Sequence, residues 1–325
     1  MTLKKLADHC HVSVSTVSKA FHNAPDISEE TRETIFRAAK ELGCYGKYRK
    51  EKYNKKSIAV ICPETGSDFY TGYIERLRAL IDQDNGIVLI SADGFDKERQ
   101  RELLDYYADH LHVDGILIFG IQATLKAGYD TPIVCLHGTG IVPTVAVYLD
   151  MRSPINEAVA HLVKLGHTHV AFLGETLTAT KGDMFAEAMA GHQLQPTAQI
   201  SSEQRFELAG EDGVQRLLEQ APHTTAIICA YDYIALGAIK ALNTAGHRVP
   251  EDMSVIGIDN IRVTPYIGTS LTSIDTHPDE ICAIAWDLLK KKMENHFFRL
   301  KQRIQISGSL VVRETTAPPR NENAG

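Results

Sequence analysis

The chain has 325 residues, 44% of them hydrophobic, which is enough apolar material for two or three packed cores. No apolar run approaches the roughly 18 residues of a membrane span, and no apolar segment follows the first lysines, so a cytoplasmic location without membrane contact is expected. The net charge of −7 hides an asymmetry: residues 1–57 carry a net +5 and the remainder a net −12, which suits a basic head that approaches a polyanion and an acidic body that stays off it.

The head comes first in the chain. Leu3, Leu6, Ala7 and Cys10 fall at i, i+3, i+4 and i+7 and give a short first helix one apolar stripe. In VSVSTVSKAF, Ser13 is the expected N-cap, while Val17, Ala20 and Phe21 point inward. Ser15, Thr16, Ser18, Lys19 and His22 are then left outside. A third helix is announced by Ser28 as cap, Glu29 and Glu30 in its first turn, Ile35, Ala38 and Ala39 inward, and Gly43 as stop. Such a surface of hydroxyls and one lysine faces phosphates and base edges, although the pattern alone fits a plain three-helix bundle equally well.

Cys44 to Lys56 carries six basic residues and almost no apolar periodicity, and reads as a linker that orders on a partner. Beyond Ser57, short β-branched runs alternate with helical stretches, the pattern of βαβ units on parallel sheets. Expected strands are SIAVIC, GIVLIS, DGILIF and PIVCLH, then HVAFLG, TAIICA and SVIGID. SIAVICPET and HVAFLGET look like the starts of two similar halves. About 260 residues of this kind split best into two α/β lobes with a ligand cleft at the carboxyl ends of the strands.

No GxGxxG follows the first strand, and GxxxxGK[ST] and GxSxG are absent, so the body lacks a phosphate cradle or nucleophile elbow and an enzyme is not expected. The cysteines at 10, 44, 62, 135, 229 and 282 form no CxxC and are expected to be buried, reduced thiols. His110/His112 and His167/His169 have no second ligand set nearby. No metal and no cofactor are expected.

The segments LKKLA, VSVSTVSKAF and ISEETR resemble the head of LacI/GalR regulators, the lactose and galactose repressor family. The resemblance continues in order through HLVKLGHTHVAFLG, TAIICAYDYIALGAIKAL, VPEDMSVIGIDN, LTSI and LVVRETT. It implies an α/β fold: a helix-turn-helix head (1–46), a hinge (47–57), a two-lobed body like periplasmic binding proteins (58–317) and a tail (318–325). It also implies chain crossings between lobes near 163, 276 and 306. Lobe 1 would then hold about 58–163 and 277–305, with the helix from Pro278 to His296, and lobe 2 about 164–276 and 306–317.

By the same resemblance Val14, Ser15 and Lys19 match the base-reading positions, while Ser13, Thr16, Ser18 and His22 are expected on phosphates. His11 stands where glycine is common and is expected at positive φ. In relatives a hinge helix wedges a leucine into the minor groove. Tyr53 stands at that position here, and Lys47, Arg49 and Lys50 remain as phosphate contacts. The effector positions fall on Phe69, Tyr70, Asp93, His137, Lys181, Phe206, Tyr231, Asp259 and Thr276. His137, Lys181 and Tyr231 replace an acid, an arginine and an asparagine of the common sugar-binding set. Fewer acids and a retained cation suggest a phosphorylated or acidic sugar; the other reading is a drifted lobe with Lys181 in solvent.

The implied function is a repressor of carbohydrate-utilisation genes that binds a near-palindromic double-stranded operator as a homodimer under a small sugar-like effector. Two alternatives stay open, a regulator controlled by a protein docking on lobe 1 and a sugar-binding protein without operator function. The tail has two prolines and no leucine heptad, so nothing larger than a dimer is expected, paired through helices around Tyr73–Ile81 and Arg99–Tyr107.

Overall fold

The computed structural model describes residues 2–21, 24, 26–45, 55–121, 129–137, 144–294 and 303–320. The head is built as its periodicity requires, from α1 (Leu3–His9), α2 (Val14–Phe21) and α3 (Glu29–Glu41). Its core is Leu6, Ala7, Val17, Ala20, Phe21, Ile35, Ala38, Ala39 and Cys44, with the Phe21 and Phe36 rings 5.0 Å apart. Side-chain oxygens satisfy the helix starts. Ser13 Oγ accepts from the Thr16 amide at 3.0 Å, Ser28 Oγ accepts from Thr31 at 3.2 Å, and Thr2 caps α1. His11 takes φ 54°, as expected for the turn, and Gly43 ends α3 at φ 65°.

The body has two six-stranded sheets. The first runs β1 (Lys56–Cys62), α4 (Asp68–Gln83), β2 (Gly86–Ala92), α5 (Lys97–Asp105) with a wider turn Tyr106–His110, β3 (Gly115–Phe119), β4 (Ile133–Leu136) and β5 (Val145–Asp150). The second runs α6 (Arg152–Leu165), β6 (Val170–Glu175), a short turn Thr176–Thr178, α7 (Ala179–Gly191), β7 (Ala198–Ser202), α8 (Phe206–Gln220), β8 (Ala226–Cys229), α9 (Asp232–Thr244), β9 (Ser254–Asp259) and β10 (Thr272–Asp275). The chain then returns through α10 (Pro278–Glu294) and β11 (Arg303–Ser307) and closes with β12 (Ser309–Val311).

The strand orders are β11-β5-β4-β3-β1-β2 and β12-β10-β9-β8-β6-β7, so β1 and β6 occupy equivalent places. The two similar starts seen in sequence are thus topological equivalents. The halves differ at one edge, where β11 lies parallel to β5 but β12 antiparallel to β10. Helices cover both faces, and the central β3, β4 and β8 are wholly buried. The seven expected strands form. β5, β7, β10, β11 and β12 join them; β7 and β11 are too polar to read as apolar runs, with Ile200 the one buried hydrophobic side chain of β7.

One expectation is corrected by packing. Pro154, Ile155, Ala158, Val159 and Leu162 of α6 are buried, and Ile155, Ala158, Val159 and Leu162 join the core of the second lobe. The first crossing therefore lies at Asp150–Met151, not near 163, because the apolar face of α6 has its partners in the second sheet. The third crossing is at Gly308, where a Cβ would lie 2.7 Å from the Asp275 carbonyl oxygen, so the crossing segments meet too tightly for a side chain. The tail is held as far as Arg320, whose guanidinium reaches Asp252 at 3.2 Å.

α10 packs on the first lobe, as the resemblance implies, with Ile281, Cys282, Ala285, Trp286, Leu288 and Leu289 against Tyr73, Ile74, Leu77 and Ile81 of α4. The apolar face of α4 is consequently used inside the protomer. Its Arg78 pairs with Glu75 and Asp82 on the other face. Exposed apolar side chains of this lobe are Ile87 and Ile90 on the edge strand β2, with Tyr106 and Leu111 beyond α5. All six cysteines are free, five buried and Cys10 half-buried.

Candidate functional site

The head presents one polar surface. Val14, Ser15 and Lys19 are exposed on α2, while Thr16 and Ser18 are half-buried. The Ser13 and Thr16 hydroxyls lie 2.8 Å apart and serve the helix start, so Ser13 acts first as a cap. Lys19 Nζ donates to Asp26 Oδ2 at 2.5 Å, and this bond holds the Asp26 carboxyl below its ordinary range. An incoming phosphate or guanine edge competes with that carboxylate for the ammonium. His22, Lys47, Arg49, Lys50 and Tyr53 lie outside the described residues.

A second site lies between the lobes, at the carboxyl ends of both sheets: a cavity of about 330 Å³. Phe69, Tyr70, His137, Lys181, Phe206, Tyr231 and Asp259 all line it. Asp93 and Thr276 do not. Asp93 is buried in lobe 1, where it accepts from Gln100 Nε2 at 2.8 Å and from the Phe95 amide at 2.9 Å. Thr276 accepts the Tyr73 hydroxyl at 3.3 Å and borders a neighbouring crevice. Asp93 thereby holds the backbone at Phe95, which does line the cavity.

The residues that sequence reasoning missed are the charged ones at the centre. Arg205 reaches across the cleft to Glu64 of lobe 1, with Nη1 to Oε2 at 2.7 Å and Nη2 to Oε1 at 3.1 Å. Its Nε faces the buried Glu175 carboxylate at 3.3 and 3.4 Å. Beside it the Tyr231 hydroxyl accepts the Phe206 amide at 3.0 Å. Phe95 and Tyr233 complete the aromatic walls. Glu64 and Glu175 stand next to last in the two similar segments SIAVICPET and HVAFLGET, so the repeat was the signal that could have found them.

On the opposite wall Lys181 Nζ donates to the Ala230 carbonyl at 2.7 Å and stands 4.0 Å from Asp259 Oδ1. Burial pushes the Asp259 carboxyl up to about 6, with Lys181 opposing it. His137, at φ 52°, stacks on Phe119 at 5.8 Å and meets Tyr73 edge-on at 4.7 Å. Burial, assisted by Lys181, lowers its pKa to about 3, so the ring is neutral. Its Nε2 is buried without a hydrogen-bond partner among the described residues.

This corrects the expected charge. His137 and Lys181 do face one cavity, yet His137 carries no charge and Lys181 is engaged by a carbonyl and a carboxylate. Among the described lining residues three carboxylates (Glu64, Glu175, Asp259) face two cations (Lys181, Arg205), leaving a slight negative excess. An anionic ligand would displace existing partners from both cations. A neutral ring with hydroxyls meets aromatic faces and acceptors already in place.

Residues 2–45 match the family of bacterial regulatory proteins described as the lacI family, and residues 159–316 match a periplasmic binding protein-like domain. The HTH-type transcriptional repressor CytR of Escherichia coli strain K12 is 27% identical, covering 97% of this chain and 96% of its own. The chain is similar to lacI-family regulators. Among solved structures, the lac repressor dimer bound to operator and the anti-inducer ONPF aligns at TM-score 0.74 and 22% identity, over 98% of this chain and 99% of that one. A transcriptional regulator CelR–cellobiose complex aligns at TM-score 0.68 and 22% identity, over 97% and 99%. Among the described residues no helix is long and apolar enough to cross a membrane, and no cluster of three or more metal-ligating side chains occurs.

Proposed function

We propose that this protein is a cytoplasmic, dimeric lacI-family repressor that binds a near-palindromic operator, and that a neutral sugar in the interlobe cleft controls it. One observation carries the reading: a basic head whose exposed α2 side chains Val14, Ser15 and Lys19 are mounted on a fully packed core, joined to a hinged two-lobed body. A two-fold pair of such heads enters successive major grooves on one side of the duplex. Pairing is supported by Ile87 and Ile90 on the unpaired edge of β2, beside Tyr106 and Leu111. A binding role rather than catalysis is supported by the cleft carboxylates, which are engaged by Arg205 and Lys181.

The sugar reading is supported by aromatic walls, by carboxylate acceptors and by the unpartnered His137 Nε2, which a ligand hydroxyl would satisfy. Footprinting on genomic fragments is the test. A protected inverted repeat, with affinity falling steeply as salt rises, is expected; equal affinity for all fragments, or a strictly monomeric protein, overturns the proposal. Calorimetric titration with neutral and phosphorylated monosaccharides should give heat with the neutral forms, and binding of the phosphorylated forms alone would reverse the ligand assignment.

A further inference from the structure

We propose that Glu64 and Arg205 form a clasp with which the protein closes its own cleft, so that the lobe angle is set by this pair and an effector must open it to enter. Each carboxylate gripping the guanidinium comes from an equivalent place, Glu64 just beyond β1 and Glu175 at the end of β6. The arginine is planar and forked, and both prongs of the fork are used on Glu64 while Nε faces Glu175. A cation–π contact strengthens the grip on lobe 1, because the guanidinium carbon lies 5.6 Å from the Phe95 ring centre, while the Phe206 ring of its own lobe lies 4.6 Å away.

Tyr233 of α9 lines the same cavity and meets the Phe206 ring edge-on at 5.6 Å. The polypeptide crossings at Asp150–Met151, Thr276–His277 and Gly308 form the hinge of the lobes. Every member of this bridge belongs to the protein, so closure needs no ligand. The residue after Arg205 belongs to the aromatic wall, since the Phe206 amide donates to the Tyr231 hydroxyl at 3.0 Å. Opening the clasp therefore loosens the aromatic wall on which a ring would stack, which couples lobe angle to ligand fit.

The regulatory meaning rests on the effector reading above, but closure itself does not, and it is measured without any sugar. Hydrogen exchange followed by mass spectrometry on the full-length protein reads the amides of both rims, residues 62–72 and 203–212. Glu64→Gln should speed exchange at both rims together by about fivefold, in a chain that otherwise exchanges like the parent. Arg205→Lys keeps a charge beside Glu175 but loses the fork, and should do the same. The double variant should exchange no faster than Glu64→Gln alone, since the two act through one interaction.

Unchanged rims in a folded Glu64→Gln protein, or acceleration confined to the rim that carries the substitution, would overturn the clasp. A sugar titration that fails leaves the exchange result standing, and a failed exchange experiment leaves sugar binding standing.

Discussion

The head and the cleft are both recognition sites, yet they are made in opposite ways. The head is local: its reading surface and the core beneath it lie within some forty consecutive residues, with caps and apolar stripes no more than a few turns apart. The cleft is assembled from side chains as distant in sequence as Glu64 and Asp259, held in place by two sheets and a hinge. Damage in the head should therefore stay there, whereas small changes far from the cleft should be felt inside it.

The largest expected effect tests the first half of that contrast. Phe21 is 2% exposed at the centre of the head core, and Phe21→Ala should cost the head about 3–5 kcal/mol. Exchange should become fast throughout α1 to α3 while both lobes keep their protection; loss of protection in the lobes would break the comparison.

Gly237 tests the second half. A Cβ there would lie 1.9 Å from the Glu207 carbonyl oxygen, one residue beyond Phe206 of the cleft wall. Gly237→Ala must push the start of α8 away, at a cost of about 3 kcal/mol in urea unfolding. Sugar affinity should fall as well, although residue 237 does not line the cavity.

Lys19→Ala should weaken specific operator binding by about 1–3 kcal/mol in a gel-shift titration and leave the melting temperature unchanged, because the side chain is half-exposed. A fall in stability of the same size would mean that the lysine serves the fold.

Asp259 gives the smallest and most specific effect, a pH dependence. Its carboxyl is raised from 3.8 to about 6 in the folded chain. The folded state holds that proton more tightly than the unfolded chain, so the stabilisation is complete below pH 3.8 and is lost as pH rises through about 6. Against the parent, Asp259→Asn should therefore gain about 2 kcal/mol between pH 4 and pH 7 in paired unfolding titrations. A constant difference would show that Asp259 does not titrate in this window. His137, held near 3, stays neutral above pH 5, so any pH dependence of sugar binding between pH 5 and 8 should disappear in Asp259→Asn.

By itself the sequence determined the three head helices, the caps at Ser13 and Ser28, the seven apolar strands and the equivalence of the two halves. Each depends on neighbours within a turn or on burial of both strand faces, which residue type alone reports. Tertiary structure decided the rest. It moved α6 to the second lobe, because only the partner surface shows which core an amphipathic helix covers. It also turned Asp93 and Thr276 away from the cavity, neutralised His137, and brought Glu64 and Arg205 together across 141 residues of chain. Charge state and pairing depend on burial and distance, and both are set by how the lobes close rather than by any segment of the chain.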